Sequence, residues 1–180
     1  MNYCEYCTTL EKDNMHRIYH DTVYGFPITN DSELFGRLIL EINQAGLSWS
    51  TILKKQKNFN EAYSGFDVQS ISNYTDKDVQ RLLSNSGIIR NKRKISAIIY
   101  NAQQVIKIQE SHGSFKGWLD FQHPLTKIQW VELFKSIFKF TGGEITNEFL
   151  LSTGYLKGAH KDSCAINKEI MQLKPQWMNH

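Results

Sequence analysis

The sequence predicts an all-helical fold. The chain has only 3 prolines among its 180 residues, its β-branched residues do not form alternating runs, and most apolar positions recur at steps of three and four. That period places apolar side chains on one face of an α-helix. With 41% hydrophobic residues, the chain is long enough to bury one core and too short for two. We therefore expect one helical domain over residues 1–180.

The first strong helical pattern covers residues 31–43 and stops before Gly46. Its apolar stripe consists of Leu34, Phe35, Leu38, Ile39 and Ile42. Ser48 is a residue type that caps helices, and it predicts the start of a second helix.

A helical hairpin is predicted at about residues 76–107. Thr75 and Asp78 have capping-box spacing at its start, and Gly87 ends its first helix. Its second helix keeps a helical period over three turns through Ile95, Ile98, Ile99, Ala102, Val105 and Ile106. Two helices joined by so short a link pack against each other.

Two further helices are predicted at residues 114–121 and 126–138, and a last one is expected to end near Gly154. The tail, at about residues 155–180, lacks a strong apolar period. We therefore expect something other than a core-facing helix to hold it.

Composition excludes some classes of protein and leaves others open. No apolar run approaches the roughly 20 residues that cross a bilayer, and neither end carries a basic-then-apolar leader, so no membrane contact and a cytoplasmic location are expected. The net charge of +3 is compatible with a nucleic-acid partner but does not indicate one. An odd number of cysteines, 3, without a secretion signal favours metal binding or burial over disulfides.

Cysteines and histidines near the two ends predict a metal site. His160 and Cys164 lie on neighbouring turns if helical, and Cys4 with His20 offers a second pair. Because Cys4-x-x-Cys7 is itself a metal-binding spacing, a set with Cys7 in place of His20 is equally good. Either set is closed by four protein ligands, which favours a structural zinc over a catalytic one. Its removal is expected to free the tail without touching a binding pocket directly.

Three motifs carry a resemblance to a known family. They are YHD at 19–21, LEINQAGLSW at 40–49, and GIIR at 87–90 followed by KI at 94–95. They resemble the YHD, LExxQAGLSW and GIIRxxxKI motifs of the bacterial 3-methyladenine DNA glycosylase I family, of the constitutive type. The similarity covers most of the first 110 residues.

The resemblance implies a helix-hairpin-helix DNA glycosylase fold in which one structural zinc ion per chain links the N- and C-terminal segments. The family's ligands correspond to Cys4, His20, His160 and Cys164, which favours this set over one with Cys7. The implied activity is base-excision repair, in which the N-glycosidic bond of 3-methyladenine in alkylated double-stranded DNA is hydrolysed and the free base is released. A monomer is expected, and the alternative is a non-catalytic DNA-binding or alkyl-base-sensing paralogue on the same fold.

The resemblance also implies site residues. Glu41 corresponds to the catalytic carboxylate that recognises the flipped base, and the base-binding aromatic residues are Tyr19, Trp49, Tyr24 and Tyr6. The helical pattern places Glu41 at the border of the apolar stripe, and the alternative is an ordinary solvated glutamate. Asp21 is either a general base or, more in keeping with its position, a cap of the adjoining turn.

The hairpin is expected to bind the DNA backbone. A glycine-containing turn before a helix leaves amides unpaired, so Gly87 and Ile88 are expected to bind a phosphate. Arg90, Lys92 and Arg93 stand at the start of a helix, where cations oppose the macrodipole and a phosphate would offset the cost. The alternative is a solvated charged face.

The resemblance weakens toward the C-terminus. Residues 141–152 lack most of the hydroxyl and aromatic positions of the family pattern. Tyr6 and Tyr24 stand where the family has tryptophan, and His16 stands where it has tyrosine. These differences bear on base range and rate more than on fold.

Overall fold

The computed structural model describes residues 2–179, and within that range the regular elements are all helical. The α-helices are α1 (Tyr3–Thr8), α2 (Met15–Thr22), α3 (Asp31–Gln44), α4 (Trp49–Ala62), α5 (Val68–Ser72), α6 (Asp76–Ser84), α7 (Lys92–His112), α8 (Phe115–Gln122), α9 (Lys127–Ile137), α10 (Gly143–Ser152) and α11 (Ala165–Gln172). Short 3-10 turns follow α4 at Ser64–Phe66 and α11 at Gln176–Met178. The all-helical prediction is confirmed.

The caps that the sequence predicts begin the helices as expected. The Ser48 side chain accepts a hydrogen bond from the Thr51 amide at the start of α4. At α9, Thr126 and Gln129 satisfy each other's backbone amides, at 3.3 and 2.9 Å. Such caps pair donors that a helix N-terminus otherwise leaves open, and each typically contributes about 1 kcal/mol.

Helix α3 forms the centre of the core. Its whole predicted apolar stripe has no solvent exposure, and it packs against α4, α7, α8 and α10. Gly36 lets the Phe66 ring approach, because a Cβ at this position would meet that ring at 2.3 Å. A helix enclosed on several sides is a rigid support for any functional side chain that it carries.

Helices α6 and α7 occupy the predicted hairpin, with α7 continuing to His112. Lys94, in the first turn of α7, points inward and donates from Nζ to the carbonyl oxygens of Asn43 and Ala45, at 2.8 and 2.7 Å. These carbonyls belong to the end of α3, where no amide of the helix can reach them. Lys94 therefore joins the hairpin to the C-terminus of the central helix.

The structure adds helices that periodicity did not predict. Helices α1, α2 and α5 were not predicted, and α1 and α5, with six and five residues, have too few turns for a repeating apolar stripe. The tail also contains α11, which buries Asn167 and Ile170 and which periodicity did not predict. None of the helices in residues 2–179 has the length and apolar character needed to span a membrane.

Candidate active site and metal centre

A cavity of about 300 Å³ opens beside the C-terminal half of α3. It lies at the small end of the range for small-molecule sites. Three tyrosines, a tryptophan, two glutamates and a glutamine line it: Tyr3, Tyr19, Tyr24, Trp49, Glu41, Glu148 and Gln44. The cavity therefore combines aromatic walls with two carboxyl groups.

Glu41 is the most buried acidic residue of this cavity, with 4% of its surface exposed. Within residues 2–179 no group hydrogen-bonds to its carboxylate, although the Arg37 charge, one turn earlier on α3, favours ionisation. Burial, with Glu148 as a lesser cause, raises the pKa of Glu41 from its ordinary value of 4.5 to about 8. The ordinary solvated glutamate considered as the alternative does not fit a residue with only 4% of its surface exposed.

Trp49 and Tyr19 form adjoining walls. Their ring centroids are 5.1 Å apart and the rings are inclined by 57°. Tyr19 is fixed by Arg37, which donates to its hydroxyl at 3.2 Å and lies 5.4 Å from its ring centroid. The Trp49 indole N–H is buried and has no hydrogen-bond acceptor within the described range.

Tyr24 and Glu148 complete the far side. The Tyr24 hydroxyl donates to Glu148 Oε2 at 3.2 Å, and Asn147 Nδ2 donates to Glu148 Oε1 at 3.4 Å. Tyr24 was predicted from sequence and Glu148 was not, because the two residues are 124 positions apart and α10 shows no motif around the glutamate.

Tyr3 lines the cavity in the place that the sequence analysis gave to Tyr6. The Tyr6 side chain is 39% exposed and does not line the cavity; its ring centroid lies 6.4 Å from that of Tyr3. On α1 these residues are three positions apart, and the helix turns Tyr3 toward the cavity. Gln44 and Arg37 were missed as well, and only their spacing from Glu41 on α3 could have indicated them.

Four residues from the two ends of the chain meet in a cluster suited to a metal ion. Cys4, His20, His160 and Cys164 bring their ligand atoms within 4.8 Å of one another. His20 Nε2 and His160 Nδ1 are 3.1 Å apart. The sulfurs of Cys4 and Cys164 each lie 3.7 Å from His160 Nδ1, and the Cys164 sulfur lies 3.8 Å from His20 Nε2. A tetrahedral zinc ion, with bonds of about 2.0–2.1 Å to nitrogen and about 2.3 Å to sulfur, requires edges of about 3.3 and 3.5 Å.

The second nitrogen of each histidine supports the same interpretation. His20 Nδ1 lies 2.6 Å from Asp21 Oδ1, and His160 Nε2 lies 2.7 Å from the Tyr24 carbonyl oxygen. Both acceptors require N–H on these atoms, which leaves lone pairs on the two nitrogens that face each other. Facing lone pairs repel unless a cation lies between them, so this donor set fits a metal ion. Burial lowers the pKa of His160 and thereby favours the neutral form that binds metals.

Asp21 orients a ligand in this cluster. Its carboxylate accepts from His20 Nδ1 and from Arg17 Nε, and it lies in the last turn of α2. It therefore neither caps a helix N-terminus nor faces the cavity, so both roles considered for it from sequence were wrong.

Cys7 lies outside the cluster. It has no solvent exposure, its thiol donates to the His16 carbonyl at 3.6 Å, and burial raises its pKa to about 11. A thiol directed away from the cluster is a poor candidate for a metal ligand. The choice of His20 over Cys7 in the candidate set agrees with this geometry.

The cluster and the cavity are directly connected. Tyr3 precedes Cys4, Tyr19 precedes His20, and the Tyr24 carbonyl accepts from His160. Gly25 allows this close approach with a φ of +82°, and a Cβ there would meet Ala159 at 2.8 Å. Three cavity walls are thus attached to the candidate ligands, contrary to the expectation that the metal would not touch the pocket.

The loop of the hairpin, residues 85–91, differs from the expected phosphate-binding turn. The Gly87 amide donates to Asn85 Oδ1 at 2.8 Å, and the Ile88 amide approaches the Asn85 carbonyl at 3.4 Å. Ile88 itself is 3% exposed and anchors the loop in the core. The amides of Gly87 and Ile88 therefore already have acceptors, because the Asn85 side chain and carbonyl fold back over the turn.

The unused amides lie a few residues later. Those of Ile89, Arg90, Lys92 and Arg93 have no acceptor within the described range. The side chains of Arg90, Lys92 and Arg93, here called the hairpin cations, are exposed, and no acidic group within residues 2–179 pairs with them. Free amides, a helix N-terminus and three unpaired cations together form a surface suited to phosphate.

Comparison with known proteins identifies relatives of this chain. The family model described as methyladenine glycosylase matches residues 9–132. The DNA-3-methyladenine glycosylase 1 of Escherichia coli (strain K12) is 38% identical over 111 residues, which are 62% of this chain and 59% of the relative. A DNA-3-methyladenine glycosylase of Haemophilus influenzae is 34% identical over 113 residues, 63% of this chain and 61% of the relative. The aligned segments thus span about three fifths of these relatives.

Solved structures match over more of the chain. A 3-methyladenine DNA glycosylase I in complex with 3-methyladenine has a TM-score of 0.81 and 31% identity, covering 92% of this chain and 97% of the other. The Staphylococcus aureus enzyme, from a study of 3-methyladenine recognition, has a TM-score of 0.79 and 30% identity over the same shares. With the family model covering more than half of its residues, the chain belongs to the methyladenine glycosylase family.

Proposed function

We propose that this protein is a DNA-3-methyladenine glycosylase, a monofunctional enzyme that hydrolyses the N-glycosidic bond of 3-methyladenine in alkylated double-stranded DNA. The observation that carries the proposal is Glu41, a buried carboxyl group without a hydrogen-bond partner that faces an aromatic cavity. Relatives with this fold are 3-methyladenine DNA glycosylases, one of them solved with 3-methyladenine bound. A cytoplasmic location and a monomeric state accord with that function and belong to the proposal.

The cavity selects a cationic base by two attractions. An electron-rich indole or phenol face attracts a cation, and Trp49 and Tyr19 present such faces. Glu41 accepts an N–H of the base, and in its ionised form the bond is charge-assisted. Normal adenine lacks the charge and gains only the stacking, which any purine would gain.

The reaction needs little from the protein beyond positioning. The 3-methyladenine nucleotide leaves the duplex stack and enters the cavity. The C–N bond breaks with its electron pair going to the base, which becomes neutral, and the sugar passes through an oxocarbenium-like state. Water then adds to the sugar carbon and loses a proton. We assign no general base, because Asp21 is held by His20 and Arg17 away from the cavity.

We further propose that the hairpin binds the DNA backbone. The hairpin cations and the free amides of Ile89, Arg90, Lys92 and Arg93 would bind the phosphate oxygens, next to Ile88, which anchors the loop in the core. Gly87 then contributes as a close-packed turn residue, since a Cβ there would meet Asn58 and Asn85 at 3.0 Å.

The metal in the cluster is proposed to be zinc, one ion per chain. Cys4, His20, His160 and Cys164 would hold it with four protein ligands, so it supplies no open position for water and acts structurally. Its effect is to join α1 and α2 to the tail and to hold the tyrosine walls of the cavity.

The test is incubation of the purified protein with methylated duplex DNA and chromatography of the released bases. Release of free 3-methyladenine supports the proposal. Tight binding of methylated DNA without release would favour the non-catalytic sensor on the same fold.

A further inference from the structure

We propose that Glu148 is a second hydrogen-bond acceptor for the base, so that this cavity selects purines whose exocyclic amine donates both of its N–H groups. The inference rests on the proposed function, because it assigns a role within the same cavity. Glu148 lies in the segment 141–152, where the chain departs from the pattern of its family.

Glu148 reaches the cavity from a different helix than Glu41. It is carried by α10, which packs against α3, and both carboxyl groups line the same cavity of about 300 Å³. The two acceptors therefore approach a bound molecule from separate elements rather than from one surface.

The carboxylate of Glu148 is oriented but not saturated. Tyr24 and Asn147 each donate to one of its oxygens, at 3.2 and 3.4 Å. Each carboxylate oxygen accepts two hydrogen bonds, so one acceptor position on each oxygen remains. Glu41 has all of its acceptor positions unused and is 4% exposed. An unpartnered acceptor this deeply buried indicates a ligand that supplies the missing donors.

The charged groups of the cavity also favour a cation with several hydrogen-bond donors. Arg37 is the cation whose charge reaches Glu41, and its guanidinium is occupied by the Tyr19 hydroxyl and ring. The other ionisable side chains that line the cavity are Tyr3, Tyr19 and Tyr24. A positively charged base with N–H groups on two sides can place a donor at each of the two glutamates.

The two N–H bonds of an exocyclic amine diverge in the plane of the ring. A site with one acceptor forms a hydrogen bond with one of these N–H groups. The other N–H loses its hydrogen bond to water when the base is enclosed, which costs binding free energy. Acceptors on α3 and α10 satisfy both. Glu148 thereby acts on specificity, favouring bases with an unsubstituted amine.

The experiment measures binding of two free bases by calorimetry, 3-methyladenine and 3-methylpurine, which has the same methylated ring without the amine. For the wild type we expect a preference for 3-methyladenine. In Glu148→Gln, the affinity for 3-methyladenine should fall by about tenfold, the loss of one charge-assisted bond, while the affinity for 3-methylpurine changes by less than about twofold. Glu41→Gln should show the same pattern.

Glu144→Gln is the matched control, since Glu144 is exposed, lies one turn earlier on α10 and does not line the cavity. It should leave both affinities unchanged. Glu148→Ala is measured as well, with thermal melts to confirm folding, in case the amide of the glutamine forms a bond of its own.

Equal losses on both bases, no loss on either, or failure of the wild type to bind 3-methyladenine would each overturn the inference. Excision from methylated DNA by the wild type, measured in parallel, tests the proposed function separately. If the wild type excises 3-methyladenine and Glu148→Gln keeps the preference for the base with the amine, the role of Glu148 alone is refuted. If the wild type does not excise the base, the proposed function is refuted.

Discussion

Replacing Glu41 by glutamine is predicted to stabilise the protein while it weakens the activity. Glutamine keeps the size of the side chain and removes the ionisable proton. In the folded protein, burial raises the pKa of Glu41 from its ordinary 4.5 to about 8. The folded state therefore prefers the neutral carboxylic acid, and ionisation in the cavity costs free energy.

The sign follows from this direction. A carboxyl group whose pKa is raised on folding makes its most favourable contribution to the free energy of unfolding below its unfolded pKa. That contribution to stability is lost as the pH rises toward the folded pKa. At about 1.36 kcal/mol for each tenfold change in proton affinity, the wild type loses about 3 kcal/mol by pH 7 and about 5 kcal/mol by pH 9 through this one group. These magnitudes are upper limits, because water entering the cavity would soften the penalty.

The assay is urea unfolding of the wild type and Glu41→Gln at pH 4.5, 7 and 8.5. The difference in free energy of unfolding between the two proteins should be small at the lowest pH and should grow in favour of the variant as the pH rises. Glu33→Gln, an exposed substitution at the other end of α3, should show no such growth. A difference that is the same at all three pH values would refute the reasoning, since Glu41 would then titrate like a solvated carboxyl group.

Four further predictions follow from the site. The ratio kcat/KM of the wild type should rise with pH up to about 8, the pKa of Glu41 in the free protein, and should be flat in Glu41→Gln; a rise in both would place the titration elsewhere. Elemental analysis should find about one zinc per chain, retained in Cys7→Ser and lost in Cys164→Ser. Because the tyrosine walls adjoin the candidate ligands, the metal-free protein should melt at a lower temperature and bind 3-methyladenine more weakly. Unchanged base binding would show that the metal does not hold the cavity walls. Alanine in place of any one of the hairpin cations should lower the magnitude of the salt slope of DNA binding by about one, on intact and damaged DNA alike, whereas Lys107→Ala at the far end of α7 should not; three unchanged slopes would leave a solvated face. Trp49→Ala should weaken cationic and neutral bases more evenly than Glu41→Gln does, and selective loss of the cation alone would argue against a stacking wall.

The elements predicted well from sequence are those with several turns of regular burial. Residues 31–43 carry five apolar residues of one stripe, and α3 forms there with that stripe fully buried. Helix α11 buries little more than Ile170 and Asn167, which is too short a signal for periodicity to detect.

Side chains of the site were predicted from sequence where they belong to a motif. They were missed where only the folding of the chain brings them to the cavity. Glu41 and Trp49 lie in one motif, and both line the cavity. Glu148 reaches the same cavity through a contact with Tyr24 that spans 124 positions, which no local pattern contains. The unpaired amides of the hairpin were misplaced for a local reason, since the Asn85 side chain takes the Gly87 amide.

The most direct test of the central claim is single-turnover release of free base from methylated duplex DNA by the wild type and Glu41→Gln at pH 7.5. The wild type should release 3-methyladenine, and the variant should do so about tenfold to a hundredfold more slowly, because it loses a charge-assisted hydrogen bond of about 1.5–3 kcal/mol. Undiminished release by a folded Glu41→Gln, or no release by the wild type, would contradict this claim.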